Sequence, residues 1–107
     1  MDNPEYTETQ VNKSLRIASQ RDIRIKWDGA ILDGDNVPEF DVWFNGDTTP
    51  FSVRDFDRSF EINEIGDRDV SHYVTYAVSF QQLAAKLVET IEEAITAGQL
   101  FDEGEDA

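Results

Sequence analysis

The single histidine is the first place to look for catalytic chemistry. His72 follows Asp69 by three residues and Asp67 by five, and a histidine beside a carboxylate can act as a general base. The chain has no cysteine nucleophile and no serine in a Gly-x-Ser-x-Gly turn. In a chain this acidic, an Asp near the histidine is expected by chance. We therefore predict a solvent-exposed histidine at a strand end and no enzymatic activity.

A second cluster has the residue types that bind hard cations. Asp33, Asp35 and Glu39 supply carboxylate oxygens, which are the ligands that calcium prefers. Their spacing does not fit an EF-hand loop, because Gly34 holds the second position rather than the sixth and Phe44 holds the twelfth. An Asp- and Gly-rich turn is the commoner explanation of this pattern. The sequence thus predicts neither a metal site nor a cofactor.

The charge of the chain is strongly negative and unevenly distributed. The formal net charge is −14 in 107 residues; residues 1–26 carry five basic and four acidic side chains, and residues 27–107 carry four basic and nineteen acidic ones. Like charges repel in a compact domain, and added salt screens them, with a Debye length of roughly 10 Å at 0.1 M and about 3 Å at 1 M. The scarcity of lysine is similar to the composition of proteins from extreme halophiles and predicts adaptation to high salt.

A short basic segment stands out against this background. Its members lie within fourteen positions: Lys13, Arg16, Arg21, Arg24 and Lys26. The acidity of the rest argues against direct binding of nucleic acid, because affinity for phosphate comes from Lys and Arg. The segment can instead meet the acidic surface of another copy, which predicts head-to-tail assembly in a ring. We expect protein partners, a homo-oligomer or a larger assembly, and no membrane binding.

The acidic residues support an alternative hypothesis, in which the chain mimics nucleic acid. Six residues on predicted strands and turns could form one acidic face: Asp33, Asp35, Asp41, Asp47, Asp55 and Asp57. A protein of that kind occupies the basic groove of a DNA- or RNA-binding enzyme and inhibits it. Because acid runs through all of residues 27–107 instead of one face, we favour salt adaptation and keep the mimic as the alternative.

The apolar pattern predicts one α+β domain between two charged or polar ends. Residues 1–10 show no apolar period and are predicted to be a flexible arm, residues 11–101 to be the domain, and residues 102–107 to be an acidic tail. The N-terminus does not match a secretion signal, and no segment is long enough to span a bilayer. We expect the protein in the cytoplasm and not secreted by a signal peptide.

The elements of the domain follow from periodicity. A short helix over residues 11–19 precedes a strand that begins at Ile23, and residues 39–44 form a second strand. A change of apolar parity after Asp55 predicts a bulge or turn there. Residues 71–80 read as a further strand, with a helix as the competing interpretation. We predict an antiparallel sheet of about four to five strands.

The C-terminal helix is the clearest element. Apolar residues recur at helical spacing over residues 80–97 and form one stripe. Ser79 and Gln82 make a capping-box pattern, and Gly98 supplies a left-handed stop. The stripe needs an apolar surface to cover. The sequence therefore predicts a long amphipathic helix packed on one face of the sheet.

The order of these elements is similar to that of a family of viral proteins. A short helix, a strand and the segment VPEFDVWFNG at residues 37–46, followed by HYVTYAVSF at residues 72–80 leading into an amphipathic helix, resembles the tail-terminator and neck proteins of tailed viruses. The resemblance covers residues 11–97. It implies a small α+β protein that rings the end of a tail tube and has no enzymatic activity. It is a match of pattern, so it assigns no site residue.

Trp43 is the first candidate for contact with a partner. It alternates with Phe40 and Phe44, so it should lie on the opposite face of the sheet, and tryptophan is enriched at binding hot spots. Cover by the N-terminal segment or by a loop is the competing explanation of an apolar residue there. The predicted partner-binding residues are Trp43, Arg21, Arg24, Lys26, Asp41, Asp55 and Asp57.

The head-to-tail hypothesis makes a testable prediction. Replacing Arg21 and Arg24 by Glu should abolish assembly, because the segment would then repel the acidic surface of the neighbouring copy. Solution mass measured by light scattering reports the result. An unchanged oligomer mass would contradict the head-to-tail layout.

Overall fold

Along the described chain, one helix precedes five strands and a second helix follows them. A computed structural model describes residues 4–32, 37–66, 68 and 70–101. The elements are α1 (Pro4–Ala18), β1 (Ile23–Leu32), β2 (Val37–Phe44), β3 (Asp47–Asp55), β4 (Phe60–Ile65), β5 (Ser71–Ala77) and α2 (Phe80–Thr96). The strands form one antiparallel sheet in the order β1-β2-β3-β4-β5. The prediction of an α+β fold with an antiparallel sheet under a C-terminal helix is confirmed.

The core lies between the helices and one face of the sheet. Alternate residues of the strands point into it, and Ile25, Phe40 and Ile62 have no exposed surface. Leu15 from α1 and Leu87 from α2 meet them in the same cluster, and the two helices also contact each other. Burying one such side chain stabilises a fold by about 1.5–3 kcal/mol. The result is two layers, and within the described residues the second face of the sheet carries no helix.

Tight turns connect the central strands. Asn45 and Gly46 have φ of 53° and 84°, and two successive residues with positive φ match the twist of a two-residue hairpin. Between β3 and β4, the amide of Phe56 donates to the carbonyl of Ser59 at 2.9 Å, and Asp57 has φ of 76°. A turn therefore stands where the change of apolar parity predicts a bulge or turn.

Residues 71–77 are a strand and α2 begins at residue 80, so the competing helical interpretation of this segment is wrong. The amide of Gln82 donates to Oγ of Ser79 at 3.0 Å, as the capping pattern predicts. The amide of Val78 donates to Oε1 of Gln82 at 2.7 Å, one residue earlier than in a capping box. Gly98 has φ of 81° and follows the helix end.

The predicted N-terminal arm is wrong for residues 4–10, which form the first half of α1. Thr7, Val11 and Leu15 are buried at intervals of four residues, so they lie on one helix face. Periodicity missed this segment because Thr7 is polar; its hydroxyl donates to Oδ2 of Asp55 at 3.0 Å and is satisfied inside the fold. Residues 1–3 and the predicted acidic tail at 102–107 lie outside the described residues.

The buried hydrogen bond between Thr7 of α1 and Asp55 of β3 should contribute measurably to the free energy of unfolding. We predict that Thr7→Val lowers the free energy of unfolding by about 1–3 kcal/mol, because it removes the donor to a carboxylate that is only 6% exposed. Thr9→Val is the matched control, since the Thr9 hydroxyl bonds the carbonyl of Glu5 at the surface and its loss should change stability by less than about 0.5 kcal/mol. Denaturant unfolding at high salt compares them, and equal effects would contradict the role given to Thr7.

A candidate protein-interaction surface at the sheet edge

The first edge of the sheet, along β1, is closed by side chains of α1. Asn12 donates from Nδ2 to the carbonyl of Ile25 at 2.9 Å and accepts from the amide of Ile25 at 2.7 Å. Glu8 accepts from the amide of Trp27 at 3.0 Å. An edge strand normally presents such groups to any other chain that can pair with them. The two side chains occupy these groups and block strand pairing at β1.

The second edge of the sheet, along β5, is open. The strand order ends at β5, and within the described residues no side chain or main-chain group bonds its outer side. Bonded and non-bonded residue pairs alternate along an antiparallel ladder. Counting from the hydrogen bond between Gly66 and Val70 puts the amide and carbonyl of Tyr73 outward. A count that starts from the hydrogen bond between Phe56 and Ser59 and crosses β4 likewise puts the amide and carbonyl of Tyr76 outward.

The open edge carries exposed apolar and aromatic side chains and no Asp, Glu, Lys or Arg. Tyr73, Tyr76 and Val78 are 59%, 57% and 61% exposed, and Val74 is 37% exposed. They belong to residues 70–85, the longest run of the chain without Asp, Glu, Lys or Arg. Exposed apolar residues along an unpaired edge indicate a site of association. We call Ser71–Ala77 together with Val78 the β5 edge.

Trp43 lies on the helix-free face of the sheet, as its alternation with Phe44 predicts. The Nζ atom of Lys26 lies 4.0 Å from the centre of its ring, which is close enough for a cation–π contact. The Nε1 atom of Trp43 is buried without a hydrogen-bond partner among the described residues. Helix α1 packs on the other face, so the described part of the N-terminal segment does not cover Trp43.

The predicted basic contact residues already have partners within the chain. Arg21 forms an ion pair with Glu92 of α2, with Nε 2.6 Å from Oε1, and Arg24 contacts Asp22 at 2.7 Å. Exposed pairs of this kind are worth about 0–1 kcal/mol, so a stronger partner could still compete for them. The structure brings Arg21 against α2 and Lys26 against Trp43, while Arg21 and Arg24 line one surface cavity together with Arg16.

The acidic residues of the mimic hypothesis do not share one face. Asp41 lies on the helix-free face opposite Lys26, whereas Asp55 is buried on the helix side, where it accepts from Thr7. The amide of Asp57 donates to Oδ1 of Asp55 at 2.8 Å in the following turn. Asp47 is exposed where β3 begins, and the first two residues of the set, at 33 and 35, lie outside the described residues.

Of the histidine and the acid cluster, the structure describes His72 and Glu39, and Glu39 pairs with Arg54. His72 is exposed on β5 and faces Glu64 across the ladder, while the two aspartates of the predicted pair lie outside the described residues. Within the described part of the chain, no three His, Asp or Glu side chains come together as metal ligands would. The helices described here lack the length and apolar character needed to cross a bilayer.

Comparison with known proteins adds no relative. No protein-family model, no curated protein and no solved structure matches this chain. The site must therefore be argued from the geometry of its own residues.

Sequence reasoning did not single out Tyr73, Val74 and Tyr76 as contact residues. Their segment was predicted as a strand, but alternation cannot tell an edge strand from a central one. The available signal was the absence of charge over residues 70–85, which is unusual in a chain of net charge −14. Charge depletion is a property of interface cores.

The closed edge gives a prediction about Asn12. Asn12→Leu should lower the free energy of unfolding by about 1–3 kcal/mol, because the amide and carbonyl of Ile25 lose both partners. Amide exchange at Ile25 should accelerate, as measured by NMR. Asn12→Asp keeps the acceptor and should have a smaller effect, and Lys13→Ala, exposed on the same helix, should have almost none. Unchanged exchange at Ile25 in Asn12→Leu would contradict the edge-closing role.

Proposed function

We propose that this chain is a non-enzymatic interaction and assembly protein that contacts its partner through the β5 edge. The observation that carries the proposal is the contrast between the two sheet edges. Asn12 and Glu8 occupy the main chain of β1, while β5 presents unpaired main chain beside exposed tyrosine and valine side chains. Addition of a strand to an open edge is a common way for proteins to bind an extended segment.

The charge of the molecule supports this location. A chain of net charge −14 repels other acidic surfaces, and burying an unpaired carboxylate is unfavourable. The β5 edge avoids both effects, because it has no charged side chain to desolvate. Tyrosine is also enriched in interfaces, where its ring is apolar and its hydroxyl can bond.

More specifically, we propose that the protein is a structural component of a virion tail or neck, from an organism or virus that lives in high salt. The order of the elements from α1 to α2 supports the first part, and the acidic, lysine-poor composition supports the second. The protein would act in the virion or in the cytoplasm before assembly, as a homo-oligomer or within a larger assembly.

The assembly function predicts how mass and folding depend on salt. At about 3 M salt the chain should be folded and form a discrete oligomer, and at about 0.1 M it should lose structure and mass because carboxylate repulsion is less screened. Light scattering gives the mass, and circular dichroism of the same samples follows folding.

A different result of the same measurements would favour the alternative function. A chain that is folded and monomeric at both salt concentrations, and that binds a basic DNA-binding protein more weakly as salt rises, would favour the alternative of a nucleic-acid mimic. A mutant with lowered negative charge on α2, Glu89→Gln with Glu93→Gln, serves as control, since both residues are exposed. It should shift the salt needed for folding downward without changing the oligomer.

A further inference from the structure

We infer that the partner at the β5 edge is a second copy of the same chain, paired antiparallel about a two-fold axis. Two five-stranded sheets then form one continuous ten-stranded sheet. The inference rests on the proposed assembly function and specifies its partner. It also replaces the head-to-tail arrangement expected from charge with an isologous one.

The asymmetry of the sheet edges argues against a ring built by strand addition. In a head-to-tail ring each copy must offer two different edges, one to each neighbour. Among the described residues, the outward groups of Ile25 and Trp27 on β1 are held by α1, whereas no group bonds the outer side of β5. When the open edge of one chain pairs with the same edge of a second chain, no open edge remains, and the assembly ends at two chains. The geometry of the edges thus favours a dimer.

Charge selects a second copy over an oppositely charged partner. Complementary charge would draw a basic protein to the acidic surfaces, but the β5 edge lies within residues 70–85, which carry no charge at all. Two acidic copies can approach only where neither presents carboxylates. The uncharged run continues into α2, whose Gln81 and Ala85 are exposed, so the first turns of the helix beside β5 add no repulsion at the seam.

The outward groups of β5 are self-complementary. The register between β4 and β5 shifts between Ile62 and Asn63 and leaves Val74 without a partner on β4, which makes a bulge in β5. Because of this bulge, Tyr73 and Tyr76 both present amide and carbonyl outward although two residues separate them. Placing Tyr73 of one copy opposite Tyr76 of the other satisfies both residues of both copies, with the axis passing between positions 74 and 75. Both tyrosines also face the helix-free side, opposite Asn63 and Glu61 respectively on β4, so their rings would lie side by side across the seam.

The first test blocks the edge without disturbing the core. Val74→Lys puts a charge at the seam, where it meets its own copy and must lose water, and lysine on an edge strand opposes pairing. We expect the wild type to have twice the 12.2 kDa mass of the chain at high salt. The dimer dissociation constant of the variant should rise by at least about tenfold. Ile17→Lys, at a side chain 80% exposed on α1, is the matched control and should remain dimeric.

The second test reads the pairing itself, using the absence of cysteine from the chain. Residues directly opposite in an antiparallel pair have Cα atoms about 5.5 Å apart, within disulfide range. Mixing Tyr73→Cys with Tyr76→Cys under mild oxidation should give cross-linked dimers, while either variant alone should give few. Ile17→Cys mixed with Tyr76→Cys is the control and should give few as well.

The outcomes separate this inference from the proposed function. A dimer that Val74→Lys dissociates, that Arg24→Glu leaves intact and that cross-links only in the Tyr73 and Tyr76 mixture supports the two-fold pairing. A discrete oligomer larger than two chains, or one unaffected by Val74→Lys, would overturn the pairing and leave the assembly function standing. A folded wild-type monomer at every salt concentration would overturn both.

Discussion

The fold depends on how the main-chain groups at the borders of an open sheet are satisfied. Five antiparallel strands in chain order leave two edges, and each edge strand presents amides and carbonyls that attract other strands. At β1 the amide side chain of Asn12 completes the ladder as a neighbouring strand would. This requires α1 to lie along β1, and the bond between Thr7 and Asp55 fixes the other end of the helix. Asymmetry between the edges is therefore part of the fold.

Electrostatics acts on the same architecture as a second constraint. With 23 acidic and 9 basic residues, a surface of this size is dominated by carboxylates. Among the described residues, the ion pairs of Arg21 with Glu92 and of Arg54 with Glu39 join different elements, and Arg24 pairs with Asp22 two positions away. The neutral stretch of the surface at β5 is thus where contact with another protein meets least repulsion.

Several elements were predictable because local chemistry specifies them. The α2 helix follows from its apolar stripe and from Ser79 and Gly98 at its ends, and the hairpin at Asn45 and Gly46 follows from their tolerance of positive φ. Helix α1 was only half predicted. Thr7 breaks the apolar period but is buried against Asp55, a residue 48 positions away, and no local pattern reports a bond over that distance.

The sequence by itself determined most of the elements, the face of Trp43 and the location of the uncharged run, because these depend on residue type and on spacing along the chain. Only the tertiary structure decided which edge is closed, that Asp55 is buried against Thr7, and that Arg21 pairs with Glu92. Each of these facts joins residues far apart in sequence. The candidate site consists of main-chain groups that remain unpaired, and these groups depend on how all the strands of the sheet pair.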